Sequence, residues 1–266
     1  GNQSNLSQTL INTEDYPIAL TYVITPSTTA NCNGTPFNLV VTVNPAPFIS
    51  DVTTTICSGN TFTISPTTGG LDPNDVVPLG SLYTWNVNNT NVLGETNQLT
   101  PGVGSISQTL TNTTTNPIES VNVIYTVTPT FGLCAGNPFE VNVVVNPAPT
   151  IPDQISSICS GETFTLNSAN ISGAVIPSNT SLTWTYTDNL NVLNENSQSV
   201  GTTVFTQILN NSGITPQPVL YQITPTSGTF GNCPGTPFNL TLTVLPTPEI
   251  DDDNLTICSG MSFNYL

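Results

Sequence analysis

The chain has 266 residues, 16 of them acidic, and no Lys, Arg or His, for a formal charge of −16. Soluble domains average about a quarter charged residues of both signs, so this balance excludes internal salt bridges, Lys-based cross-links and any cationic clamp on phosphate. Nucleic acid is excluded as a partner because neutralising its backbone takes Lys and Arg, and an anionic membrane surface is disfavoured for the same reason.

Hydrophobic residues make up 36% of the chain, enough for a core and unlike a disordered acidic tail. The polar surface is built from Asn, Thr, Ser and Gln. No apolar run approaches the ~20 residues that span a bilayer, so no direct membrane insertion is expected.

In chain order, the first strong strand signal is Phe37/Leu39/Val41/Val43, a period-two set with one face to bury. The linker Asn44-Pro45-Ala46-Pro47 ends it. Next comes Ile56-Cys57-Ser58-Gly59, then strand residues Phe62 and Ile64, then Leu82 to Val87 with Trp85 at its centre. Val123 to Val127 reads as a further strand. Phe139/Val141/Val143/Val145 repeats the opening set before Asn146-Pro147-Ala148-Pro149. The order then recurs: ICSG at Ile158–Gly161, Trp184, and Phe238/Leu240/Leu242/Val244 before Leu245-Pro246-Thr247-Pro248. A third ICSG stands at Ile257–Gly260. No helical periodicity of useful length occurs.

Two cysteine motifs carry the period. The ICSG cysteine falls at 57, 159 and 258, and the C-x-G-x-P-F cysteine at 32, 134 and 233, each offset by 102 and then 99 residues. Self-similarity at a fixed period marks a repeat architecture. The linkers divide the chain into residues 1–47, the C-terminal part of one repeat; 48–149 and 150–248, two complete repeats; and 249–266, the start of another. Broken repeats at both ends predict a longer parent chain. Each complete repeat, with a central-strand Trp and a late Tyr, predicts an immunoglobulin-like β-sandwich of about 100 residues. The all-β modules are expected to follow one another through semi-rigid Pro-rich linkers as an extended stalk, with neighbouring repeats of the same chain as first partners. Trp85 and Trp184 are expected in the core.

The motifs I-C-S-G-x-x-F (Ile56–Phe62), Y-T-W (Tyr83–Trp85), I-S-Q-T-L-T-N-T (Ile106–Thr113), Y-T-V-T-P-T (Tyr125–Thr130), C-x-G-x-P-F (Cys134–Phe139) and V-N-P-A-P (Val145–Pro149) together resemble the PKD-like repeats of giant Bacteroidota cell-surface adhesins of the gliding-motility type. The second repeat departs in places, with Leu182-Thr183-Trp184 and Phe205-Thr206-Gln207-Ile208. The resemblance covers essentially the whole chain. It implies type IX secretion, attachment to the outer membrane, adhesive filaments, and contact with the secretion and motility machinery. An extracellular, cell-surface location follows from it.

Catalysis has little to work with, since there is no His for acid–base chemistry and no Lys for Schiff bases; an enzyme is not expected. A glycan-binding module and a self-assembling fibre subunit are the alternatives, and the Asn/Thr-rich surface would hydrogen-bond polysaccharide. Asn-x-Ser/Thr sequons such as Asn88-Asn89-Thr90 carry no signal in so Asn-rich a chain. The absence of Lys and Arg denies trypsin-like proteases a cleavage site.

No cofactor is expected, with calcium the one candidate. Asp72-Pro73-Asn74-Asp75 offers oxygens from Asp72, Asn74 and Asp75, and Asp251, Asp252 and Asp253 follow a linker. Neither cluster recurs: the second repeat has Ser172-Gly173-Ala174-Val175, and the other linkers carry only Asp51 and Asp153.

The cysteine spacing is not that of a zinc site, and an exported protein favours disulfides. With alternating strands, the ICSG turn lies at one end of a sandwich and the C-x-G-x-P-F turn at the other. A disulfide needs Cα atoms within about 7 Å, so an ICSG cysteine is expected to meet the last-turn cysteine of the following repeat. Here that pair is Cys57–Cys233, with the other four cysteines partnered beyond this chain. Intra-repeat pairs, Cys57–Cys134 and Cys159–Cys233, and free thiols remain open.

Overall fold

A computed structural model describes residues 5–88, 91–115, 118–167, 171–249 and 252–264. These are strands, turns and irregular segments without a helix. The chain divides into two compact units: residues 1–149 with 175–179 and 227–234, and residues 150–174, 180–226 and 235–266.

The first unit opens with a hairpin, β1 (Ile18–Ile24) against β2 (Phe37–Val43), in register Ile18↔Val43 to Ile24↔Phe37. Its main sheet is built from β3 (Val52–Cys57), β5 (Leu82–Val87), β7 (Gln98–Val103), β10 (Val121–Phe131) and β12 (Phe139–Asn146), in the order β3-β12-β10-β5-β7. A short β11 (Cys134–Ala135) folds back on the end of β10. The opposing layer holds two strand pairs: β4 (Thr61–Ile64) with β8 (Ile106–Thr109), and β6 (Val92–Leu93) with β9 (Thr111–Asn112). All pairings are antiparallel except β3 with β12, which run parallel from Val52↔Val141 to Cys57↔Asn146.

Side chains alternate across a strand, and the core follows that alternation. Val121, Val123, Tyr125 and Val127 of β10, with Phe139, Val141, Val143 and Val145 of β12, are buried against Phe62, Ile64, Ile106 and Leu110. The rings of Phe62 and Tyr125 pack at a tilt of 52°, with centroids 5.3 Å apart. Trp85 is in the core, as expected, and donates its indole N–H to Thr96 O at 2.7 Å.

The second unit repeats the plan. Its sheet runs β13 (Gln154–Cys159), β21 (Phe238–Leu245), β20 (Gln217–Thr226), β15 (Ser181–Thr187), β17 (Gln198–Thr202), with β13 parallel to β21. The pairs β14 (Thr163–Leu166) with β18 (Phe205–Ile208), and β16 (Val192–Leu193) with β19 (Asn210–Asn211), form the other layer. Phe205 sits between Trp184 at 4.8 Å and Tyr221 at 4.9 Å. Trp184 donates to Asn196 O at 3.0 Å.

One expectation is corrected. The Phe37/Leu39/Val41/Val43 set lies on a strand, but Phe37 is 52% exposed. Its counterpart Phe139 lies in a core that the facing layer completes, whereas the described residues of 1–47 hold only the β1–β2 hairpin.

Candidate functional site

The recurring cysteine turns are the most specific feature of the chain. In the first, Cys57-Ser58-Gly59-Asn60 closes with Asn60 N–H donating to Cys57 O at 3.0 Å, and Gly59 has φ +86°. A turn with positive φ at its third residue favours glycine. The turn is held from three sides: Ser58 N–H donates to Asn146 O, Gly59 N–H to Leu110 O, and Asn112 N–H to Ser58 Oγ, at 2.8–3.0 Å.

The second copy is built identically. Glu162 N–H donates to Cys159 O, Gly161 has φ +83°, and Ser160, Gly161 and Asn211 repeat the three outer bonds at 2.8–2.9 Å. The third, at Cys258, keeps the inner bond from Met261 N–H and the φ of Gly260, +91°.

Within the first unit Cys57 is bonded to Cys233, with Cα atoms 5.4 Å apart and a sequence separation of 176 residues. Cys233 is fully buried on loop 227–234. This is the pairing expected between an ICSG turn and the last turn of the next repeat. The intra-repeat alternative, Cys57–Cys134 with Cys159–Cys233, is not formed. Cys57 lies beside Asn146 at the end of β12, whereas Cys134 precedes the start of that strand. At about 3.3 Å per residue the length of the sheet separates them. Cys32, Cys134, Cys159 and Cys258 are free thiols.

The calcium candidates have other partners. Asp75 is buried; its Oδ1 accepts Ser50 N–H at 2.8 Å and its Oδ2 accepts Asp72 N–H at 3.0 Å. Asp72 Oδ1 accepts both the backbone and side-chain N–H of Asn74, at 2.9 and 2.8 Å. The loop is closed by hydrogen bonds to the oxygens that a cation would need. Asp252 and Asp253 lie on exposed irregular chain, and Asp251 and the Asn89-Thr90 sequon lie outside the described residues. Among the described residues no three His, Cys, Asp or Glu side chains cluster as metal ligands.

The linker acids proved informative in another way. Asp51 Oδ1 accepts Glu140 N–H at 2.7 Å, and Asp153 Oδ1 accepts Asn239 N–H at 2.7 Å. Each pins the entry of the first strand of a sandwich to its last.

Two further recurring positions had no role assigned from sequence. Asn112 Nδ2 donates to Val145 O and Glu119 O, while its Oδ1 accepts Thr114 N–H. Asn211 bonds Val244 and Thr215, and Asn12 bonds Val43 and Tyr16, in the same manner. Gln108 Oε1 accepts Tyr125 OH at 2.8 Å and Thr96 N–H at 3.0 Å. The signal was present in the spacing, since Asn12, Asn112 and Asn211 recur at offsets of 100 and 99 residues, close to the 102 and 99 of the cysteines.

Burial raises the phenol of Tyr83 to about 12. The phenols of Tyr125 and Tyr221 are raised further by burial first, and then by the negative charges of Glu95 and Glu195 respectively.

These paired sheets, cross-braced by turns at fixed intervals, define a tandem of immunoglobulin-like β-sandwich modules. The chain belongs to the PKD-like domain family, whose model matches residues 1–47, 54–149 and 156–248. Among solved structures it is similar to an I-band fragment of titin, at 10% identity over 86% of this chain and 75% of that one, TM-score 0.33. It is also similar to the FN1–FN3 domains of chicken CNTN1, at 12% identity over 85% and 76%, TM-score 0.34. No curated protein matches the chain. Tandem PKD-like and immunoglobulin-like domains are typical of extracellular proteins and are typically structural rather than catalytic modules.

Proposed function

We propose that the chain is a load-bearing segment of a cell-surface filament, which holds adhesive surface away from the cell and, where the cell glides, travels with it. The observation that carries this reading is the repeated turn whose cysteine is bonded to a partner 176 residues away. Such a bond is stable in oxidising, extracellular surroundings. The charge supports it as well: with 16 acidic residues and no cations, modules repel one another over about 8–10 Å at physiological salt, which keeps a string of them extended and soluble. Type IX export, attachment at the outer membrane and contact with a motility machinery belong to this proposal through the resemblance of the repeats. Surface polysaccharide would be met by the Asn/Thr face, since Trp85 and Trp184, the indoles a sugar would stack on, are buried.

Antibodies to residues 48–149, imaged on live intact cells that make the protein, test the reading. Labelled filaments that extend from the surface and move along it are expected. Label confined to a static coat or to shed fibres would overturn the motility part, and label retained inside the cell would overturn the whole.

A further inference from the structure

The side-chain amide of Gln108 is gripped at both ends. It is buried on β8, where its Oε1 accepts Tyr125 OH at 2.8 Å and Thr96 N–H at 3.0 Å. Its Nε2 donates to Thr96 O and to Thr96 Oγ1, each at 2.7 Å. Two donors converging on one carbonyl oxygen stabilise the anion that forms when a nucleophile adds to the carbon. Burial first, and then the charge of Glu95, raise the Tyr125 phenol, so it remains a donor at neutral pH. The Thr96 hydroxyl already touches this amide. The carbonyl carbon lies one bond of about 1.33 Å beyond Nε2, hence within about 4 Å of Oγ1. A near-attack arrangement needs about 3–3.5 Å, which a rotation of the Thr96 side chain supplies.

A threonine hydroxyl needs a base to act as a nucleophile. The preceding residue offers one. Glu95 Oε2 is buried and has no hydrogen-bond partner among the described residues, and the chain has no Lys, Arg or His to pair it. The amide nitrogen is also dispensable. Of its two acceptors, Thr96 O keeps the indole N–H of Trp85 at 2.7 Å, and the other is the hydroxyl itself. Thr96 is exposed, which gives a small leaving group a way out.

The second sandwich has the same glutamate, glutamine and tyrosine, at Glu195, Gln207 and Tyr221, but Asn196 stands in the place of Thr96. Gln207 Nε2 donates to Asn196 Oδ1 at 3.0 Å, while Gln207 Oε1 and Tyr221 OH have no partner among the described residues. The hydroxyl and the polarised carbonyl are both missing there.

We propose that Thr96 and Gln108 condense to an intramolecular ester that staples the bend between β6 and β7 to β8. Thr96 Oγ1 bonds to Gln108 Cδ as its proton passes to Glu95, and Tyr125 OH and Thr96 N–H hold the resulting oxyanion. The Cδ–Nε2 bond then breaks as Glu95 returns the proton to the nitrogen, and ammonia leaves. One amide becomes one ester, and no co-reactant is consumed. The ring so closed over residues 96–108 withstands a reductant, unlike the Cys57–Cys233 bond. The staple goes beyond the filament reading and does not depend on it.

Intact-mass measurement of the folded, purified 266-residue chain tests the staple. A chain lighter by one ammonia is expected, not by two, since the second sandwich lacks the hydroxyl. Cleavage after glutamate releases residues 96–119 as one peptide; it should carry the whole deficit and give no backbone fragments between Thr96 and Gln108. Alkaline hydroxylamine should open the ring and leave a hydroxamate on residue 108. T96S keeps the deficit, whereas T96V and Q108E have full mass. E95Q reaches the deficit about 100-fold more slowly, the usual weight of a positioned base. Full mass in the folded wild type, a deficit that survives in T96V, or one that maps outside residues 96–119 would overturn the proposal; the wild-type result decides even if a variant fails to fold.

Discussion

Asp75 shows what a buried carboxylate does in a chain with no cation to pair it. Its two oxygens accept Ser50 N–H and Asp72 N–H, and removing such an acceptor leaves buried donors unpaired at about 1–3 kcal/mol each. D75A is therefore expected to lower the melting temperature by several degrees, while a calcium chelator leaves the wild type unchanged; a chelator-induced drop would restore the metal reading. The buried tyrosines give a finer contrast. Tyr125 OH donates to Gln108, whereas Tyr221 OH and Gln207 Oε1 have no hydrogen-bond partner. Y125F should cost about 1 kcal/mol in denaturant melts, and Y221F should be neutral or stabilising. Equal losses in both would refute the assignment.

At the scale of elements, period-two alternation located the buried faces of β12 and β21, because a strand against a second layer shows its burial directly in sequence. The same pattern at β2 misled, since alternation records which face can be buried and not whether a partner layer is present. Gly59 and Gly161 were legible because only the motif and a positive φ are involved. The roles of Asn112, Asp51 and Gln108 were not. Their partners, backbone groups and the hydroxyls of Tyr125 and Thr96 among them, lie up to 89 residues away, so nothing local announces them; only their recurrence from repeat to repeat does. Asn112 tests this. It donates twice to carbonyls through one amide, and Asp in its place has no donor. N112D is expected to destabilise the first sandwich by about 2–3 kcal/mol in denaturant melts; an unchanged midpoint would refute the role of the amide.

For the whole molecule, alkaline pH is the lever. A phenol raised in the folded state stays neutral while its unfolded counterpart ionises. The stability it contributes is therefore complete below the unfolded value of about 10 and is lost as pH rises through the folded value, about 12 for Tyr83 and higher for Tyr125 and Tyr221. Denaturation midpoints should fall steeply between pH 10 and 12 with the rise of tyrosinate absorbance; a midpoint insensitive to pH across that window would contradict the buried phenols.

The Cys57–Cys233 bond also sets how much thread the molecule can pay out. Drawn from its two ends, the chain runs to Cys57, crosses the sulfurs, and resumes at Cys233, so residues 58–232 never enter the tensioned line. With the 175 residues between the two cysteines, out of 266, bypassed, full extension at about 3.5 Å per residue gives a contour of roughly 300 Å for this segment when oxidised and roughly 900 Å once the bond is reduced. Almost the entire second sandwich is slack hidden behind one covalent shortcut. A reductant thus acts as a length switch, trebling the reach of the strand without breaking its backbone.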